Sequence, residues 1–305
     1  MERSSMTALV CAFARAYHSK NNKVKVFDDS MAEKFLKEKE YKQISSSMVQ
    51  GIKFFNPGFE GSEEEALRWI VDNQLSPSPL GRAAYAESML ENAVRIGAKQ
   101  YLVFAAGFDT FAYRQPDYAE KLQIFEIDHP LTSKDKQERV RAASEKEIKN
   151  LHYIQADLSK NDWPNNLLLC PAFDRDTISF CSLLGISYYL SKEDFINIIR
   201  SISNIVPEGS SIVFDYPDQN SYTENAGERA KKQAAIANAA NEAMLASYSY
   251  TEIEQILSES GFLIYDHLEP QEITKQYFEE CNLANPEHPI TAFDNVNYCL
   301  GVKKL

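Results

Sequence analysis

Basic charge is scarce in this 305-residue chain: 32 Lys and Arg stand against 44 Asp and Glu, a formal net charge of −12. A protein that grips nucleic acid without regard to sequence needs a basic field, and an anionic membrane surface selects for the same thing. Neither partner is expected here. Long apolar runs are missing too. The charge-free run 177–191 contains Gly185 and several Ser and Tyr, so it falls short of the ~20 apolar residues of a membrane helix. The apolar stretch from Met6 to Ala14 is broken by Arg15, with no small-residue cleavage pattern after it, and no secretory leader is expected. Cysteine is sparse and unpaired in pattern: Cys11, Cys170, Cys181, Cys281 and Cys299 are odd in number and never form C-x-x-C. That excludes a disulfide framework or zinc knuckle and points to a reducing cytoplasm, with no metal expected.

What is present is an ordinary globular balance, 44% hydrophobic and 25% charged, in a chain long enough for one large or two modest domains. The first eighty residues read as helices, with Met6, Leu9, Val10, Phe13 and Tyr17 at helical spacing and Ala66, Leu67, Ile70 and Val71 repeating the pattern. Asn56-Pro57-Gly58 marks a turn between them. The prolines of Ser76-Pro77-Ser78-Pro79 predict the end of this segment, hence a helical cap over 1–80 and a second domain over 81–305. Short apolar runs then recur at 101–105, 122–127, 152–156, 177–184 and 211–216, with helical stripes between them. Ser191 with Asp194 and Thr251 with Glu254 read as helix starts, and Gly97 and Gly261 as helix ends. Two further strands are expected at 262–268 and 296–302, and a helical insertion at about 218–250. Alternating strands and helices predict an α/β protein built on an open, mostly parallel sheet, which binds ligands outside the carboxyl ends of its strands.

The strand ends carry the chemistry. Ala105-Ala106-Gly107 after the first strand gives backbone room for a ligand, but G-x-G-x-x-G and a Walker lysine are absent. An ordinary tight turn would look the same. The second strand ends Glu126-Ile127-Asp128-His129; an acid here suits a ribose diol, and Glu126 and Asp128 share one face. Asp157-Leu158 after the third strand suits a purine, though an Asx turn is common at such a place. Together these suit an adenosine ligand without a pyrophosphate, closer to S-adenosylmethionine than to NAD.

Gly81-Arg82, AAGFDT at 105–110, EIDHP at 126–130, ADL at 156–158, LLGISYYL at 183–190 and IVFDY at 212–216, with Thr7-Ala8 and Arg15, resemble the leucine carboxyl methyltransferase family. The closest likeness is to its bacterial branch of polyketide-type O-methyltransferases. The resemblance implies a Rossmann-like class I methyltransferase sheet of seven strands with an antiparallel last strand, and S-adenosyl-L-methionine as cofactor. It also implies that Arg82 grips the donor's carboxylate and that Ala105 and Gly107 lie under its amino-acid part. Asp128 would take the ribose, and Asp157 with Leu158 the adenine. Two departures stand out. The family usually has Gly-Ala-Gly at 105–107, and the alanine is tolerable only if φ is negative. Many members also carry a glutamate where this chain has Leu184.

Methyl transfer from a sulfonium is governed by positioning. The expected acceptor is a carboxylate or hydroxyl of a small molecule, or a protein carboxyl terminus. A hydroxyl would need a base, for which His129, Tyr188, Tyr189 and Tyr216 are the strand-end candidates, the three tyrosines also being candidate substrate contacts. The competing readings are a catalytically silent relative and an NAD(P)-dependent oxidoreductase, the second disfavoured by the missing glycines.

Overall fold

The computed structural model describes residues 5–143, 147–239 and 243–304. Seven strands form one sheet: β1 Gln100–Phe104, β2 Gln123–Asp128, β3 Leu151–Gln155, β4 Ser179–Leu183, β5 Ser211–Pro217, β6 Phe262–Leu268 and β7 Val296–Lys303. Their order is β3-β2-β1-β4-β5-β7-β6. The first five pair in parallel, while β7 lies between β5 and β6 and runs antiparallel to both. Strand order reverses between β1 and β4, which is where such a sheet opens a crevice. β1 and β4 are buried along their whole length, as expected of apolar runs with helices on both faces.

The N-terminal helices are α1 Met6–Asn21, α2 Glu38–Gln50, α3 Ile52–Phe55 and α4 Glu63–Ile70. They are followed by α5 Pro77–Arg95, α6 Phe111–Arg114, α7 Pro130–Ala142, α8 Trp163–Leu168 and α9 Lys192–Ile205. Then come α10 Glu228–Ala239, α11 Tyr250–Glu259, α12 Pro270–Ile273 and α13 Glu279–Ala284. Leu9, Phe13 and Tyr17 of α1 form a buried stripe packed with Ile44, Val71 and Phe108. On α9, Phe195, Ile198, Ile199 and Ile202 are buried against the sheet, Phe195 meeting Phe214 of β5 edge-on. Each such side chain contributes about 1.5–3 kcal/mol by leaving water.

Two local expectations are corrected. The Ser76–Pro79 prolines open a helix instead of closing one: α5 begins at Pro77, where a missing N–H is harmless because first-turn donors have no helical partner. A π turn over Val71–Leu75 leads into it, so the division at 80/81 falls inside α5. The start of α11 also moves: Ser249, in extended backbone, accepts the Glu252 N–H, and Glu252 accepts the Ser249 N–H. Thr251 is already helical, so its pairing with Glu254 is not a cap. Gly97 and Gly261 do end their helices, at φ 122° and 83°. Residues 240–242 of the expected helical insertion lie outside the described residues.

His18 of α1 is buried, and its Nε2 accepts the Val26 N–H at 3.0 Å. Burial pushes its pKa down to about 4. The stability it contributes is therefore intact above pH 6.5 and lost as pH falls from there toward 4. Relative to a His18→Gln variant, the wild-type protein should lose up to about 3 kcal/mol of unfolding free energy between pH 7 and pH 4, measured by urea titration.

Candidate functional site

The loops after β1, β2 and β4 meet over the strand-order switch. β1 stops at Phe104 because Ala105 turns the chain to φ 51° and Gly107 to φ 50°. The turn exposes the Gly107 N–H, which donates to Asp128 Oδ2 at 2.5 Å, while the His129 N–H donates to Asp128 Oδ1 at 2.6 Å. Burial raises the Asp128 pKa, and these two backbone donors oppose the rise. A Cβ at Gly107 would press on Ala8 Cβ of α1 at 3.2 Å, so helix and loop are already in close approach. Around this point lies a cavity of about 620 Å³, within the usual range for small-molecule sites.

On the β4 side the organiser is Asp215, a fully buried carboxylate in β5. It accepts the Gly185 N–H at 2.6 Å and the Tyr188 hydroxyl at 2.7 Å, and pairs with Arg82 Nη1 at 3.4 Å. Its backbone carbonyl accepts the Ser187 hydroxyl at 2.6 Å. Arg82 comes from α5 and reaches Cys11 Sγ at 3.5 Å with its other nitrogen. Burial is the largest influence and works against its charge, but Asp215 together with Cys11, Tyr188 and Tyr298 makes the net shift upward. Gly185 sits at φ 69°, and a side chain there would run into the Arg82 guanidinium.

A charged roof ties the N-terminal helices to this floor. Arg15 Nη2 donates to the Phe108 carbonyl at 2.7 Å, and Arg15 Nε pairs with Asp29 at 2.7 Å. Asp29 lies 3.7 Å from Arg114, which grips Glu87 of α5 with both terminal nitrogens. The Arg15–Asp29 pair is mostly buried, so removing one partner would strand a charge.

A second cavity of about 220 Å³ adjoins the first; Thr7, Cys11, Pro79, Arg82, Gly185 and Tyr189 line both. Of the residues singled out from the sequence, Arg82, Ala105, Gly107, Asp128 and Tyr189 line the first cavity. Leu184 also lines it, with an uncharged side chain. Tyr188 lines the second cavity, and its hydroxyl is committed to Asp215. Burial, reinforced by Asp215, holds Tyr188 protonated, which removes it as a base.

Five further residues singled out from the sequence line neither cavity. Asp157 lies outside the cavity wall in an Asx turn, accepting the Ser159 N–H at 3.1 Å and hydroxyl at 2.6 Å. Leu158 packs on the apolar cluster below β3, likewise outside the wall. Tyr216 is buried in the core with its hydroxyl on His267 Nε2, facing a different surface hollow. His129 is an exposed helix cap whose Nδ1 accepts from the Leu131 N–H. Glu126 is buried with Lys136 at 2.6 Å, so it is neither solvated nor on the cavity wall; burial raises its pKa to about 7. Asp215 lies within IVFDY at 212–216 and is not among the expected site residues; a lone carboxylate inside an apolar strand must find partners, and that is the signal the sequence carries. Asp29 and Arg114 gave no signal, being far apart in sequence.

The sheet order and the place of the cavity put the protein in the class I methyltransferase fold. A crystal structure from Thermobifida fusca YX, solved as a methyltransferase, superimposes with TM-score 0.55 at 13% identity over 99% of this chain and 96% of that one. A DUF574 family protein from Streptomyces avermitilis gives 0.55 at 15% identity, over 85% and 97%. In sequence, the model for leucine carboxyl methyltransferase matches residues 8–203. YktD of Bacillus subtilis (strain 168), which carries the name of an S-adenosyl-L-methionine-dependent methyltransferase, is 40% identical over 99% of this chain and 98% of its own. The chain belongs to the leucine carboxyl methyltransferase family, and it is an S-adenosylmethionine-dependent methyltransferase.

Two substitutions test the floor of the site. Asp215→Asn leaves Arg82 without its counter-charge and should lower unfolding free energy by about 3 kcal/mol, read by denaturant titration. Ala105→Gly relieves a left-handed alanine and should leave stability unchanged or raise it by about 1 kcal/mol; a loss of that size would show that φ 51° carries no strain.

Proposed function

We propose that the protein transfers the donor methyl to an oxygen of a small molecule, a carboxylate or a hydroxyl, as a member of the polyketide-type O-methyltransferase branch. The observation that carries this reading is the pair of adjoining cavities with Arg82 and Gly185 in their common wall. The first cavity fits the donor: it combines close backbone at Gly107, a carboxylate for a ribose diol in Asp128 and a guanidinium for an amino-acid carboxylate in Arg82. Asp157 and Leu158 stand outside its wall and take no part in this assignment.

When bound, S-adenosylmethionine supplies an electrophilic sulfonium methyl. The rest is positioning. Asp128 is pre-set by two backbone donors, and Asp215 fixes Arg82 and the Gly185 turn in one frame. The reacting oxygen must be held at about 3–3.5 Å from the methyl carbon, and the Arg15–Asp29–Arg114 network fixes the N-terminal side of the larger cavity.

A silent, donor-binding relative is the second reading, favoured by the left-handed Ala105 and by Leu184. Calorimetry with S-adenosylhomocysteine should show binding that Asp128→Asn weakens by about tenfold. Labelled methyl should appear on oxygen, as a base-labile ester or a stable ether. Binding without transfer to any acceptor would favour the silent relative.

A further inference from the structure

We infer that Gln74 reads an uncharged carbonyl group on the methyl acceptor, which makes it a specificity-determining residue of the second cavity. This rests on the methyltransferase reading above and deepens it. The Ser76 N–H bonds back five residues to the Val71 carbonyl at 2.8 Å, the register of a π turn, and single π turns are frequent at functional sites. Pro77 and Pro79 follow at once and bring no N–H to the turn before them. The Gln74 carbonyl is taken up from outside: the Gln233 amide of α10 donates to it at 3.0 Å and to the Gln74 side-chain oxygen at 3.2 Å. That double contact fixes how both amides face. A backbone carbonyl must meet a donor, so Gln233 presents Nε2 and Gln74 answers with Oε1. The Gln74 Nε2 is left over and donates to no group among the described residues. Gln74 is 4% exposed and lines the second cavity, and its nitrogen is not one of the sealed, unpartnered atoms of the core. A buried amide donor kept without an acceptor calls for an explanation, and a bound group that completes it is the one this cavity offers.

Ser78 stands four residues further on, lines the same cavity, and its hydroxyl has no hydrogen bond among the described residues. Arg82 follows after another four, in the wall shared with the donor cavity. Positions four apart are neighbours on a helix surface. Gln74, Ser78 and Arg82 therefore form a row from α10 to the donor cavity, about 12 Å long at 1.5 Å per residue. The free donors lie at the end remote from the methyl, where they orient the acceptor without touching the reacting atoms.

The surroundings choose the group that meets them. Val10, Met48, Phe55, Ile236 and Phe293 make the wall largely apolar, and no Asp, Glu, His or Lys lines it among the described residues. Arg82 is committed to Asp215. A cation would be desolvated there without a counter-charge, and an anion at Gln74 would meet only neutral donors; both are costly. A hydroxyl or amine would bring a proton needing an acceptor of its own, and the neighbouring Oε1 is already engaged by Gln233. A carbonyl oxygen brings none and offers two lone pairs, one for Gln74 Nε2 and one for the Ser78 hydroxyl. An apolar cavity of about 150 Å³ holds a benzene, so about 220 Å³ suits one ring with a short chain. The acceptor class is thus a compact, uncharged, mostly apolar molecule with a ketone- or ester-type carbonyl at its far end.

The test uses the full chain with S-adenosylhomocysteine bound and two probes of one shape: propiophenone, and 2-phenylbut-1-ene, in which a CH₂ group replaces the carbonyl oxygen. Calorimetry should show the ketone bound about tenfold more tightly than the olefin. Gln74→Leu should abolish that preference by weakening the ketone alone, leaving the affinities for the olefin and for S-adenosylhomocysteine unchanged. A merely structural role would instead weaken both probes alike, and that result overturns the inference. Should the variant fail to fold, the unaltered protein, isotopically labelled at its glutamines, replaces it: one side-chain NH₂ resonance pair should shift with the ketone and not with the olefin, and its failure to shift overturns the inference. Equal binding of the two probes, or binding of neither while S-adenosylhomocysteine binds normally, also overturns it. Failure of S-adenosylhomocysteine to bind overturns the methyltransferase reading itself.

Discussion

One buried carboxylate holds the site together. Asp215 stands in a strand that is otherwise apolar, and its oxygens are taken up by the Gly185 amide, the Tyr188 hydroxyl and the Arg82 guanidinium. Those three partners come from the turn after β4, the segment before α9, and α5. A charge taken out of water requires such saturation, because leaving it unpaired would cost several kcal/mol. The requirement works in reverse as well. Since Asp215 cannot be left unsatisfied, the β4 turn and the arginine are pinned to one another, and the wall between the two cavities is fixed by the core beneath it.

The roof obeys a looser rule. Arg15, Asp29, Arg114 and Glu87 form a chain of alternating charges joining α1, the segment before α2, α6 and α5. Each side chain touches at least one oppositely charged neighbour, so the roof is a network and not a set of isolated pairs. Such a network fixes orientation more than it adds stability. It places α1 where Ala8 lies close against Gly107, both in the lining of the larger cavity.

The sheet was legible in the sequence because buried parallel strands are written as uninterrupted apolar runs; all seven appear within two residues of the expected bounds, and β7 runs antiparallel as the family likeness implied. Helix boundaries were less legible. Pro77 and Pro79 punctuate the chain, but proline is compatible with a helix start as well as a helix end, and only packing chooses. Arg82, Gly107 and Asp128, singled out because each sits at or near a strand end or in a recognisable motif, line one cavity. Asp157, singled out as a donor contact, and Tyr216, singled out as a substrate contact, do not line that cavity, since a strand end specifies a face of the sheet and not a cavity. The residues that join distant segments, Asp29 with Arg114 and Asp215 with Arg82, leave no local pattern, since the partners meet only in three dimensions.

The antiparallel insertion of β7 between β5 and β6 has a consequence for how the molecule comes into being. Until residues 296–303 are available, β5 is a sheet margin with unsatisfied backbone groups, and β6 has no strand to pair with. Asp215 lies on that margin, opposite Tyr298. During synthesis, the chain up to β7 must therefore emerge before the strand carrying the central carboxylate is sealed on both sides. The crevice beside β5 thus matures only after β7 has joined the sheet, although most of its lining is made earlier.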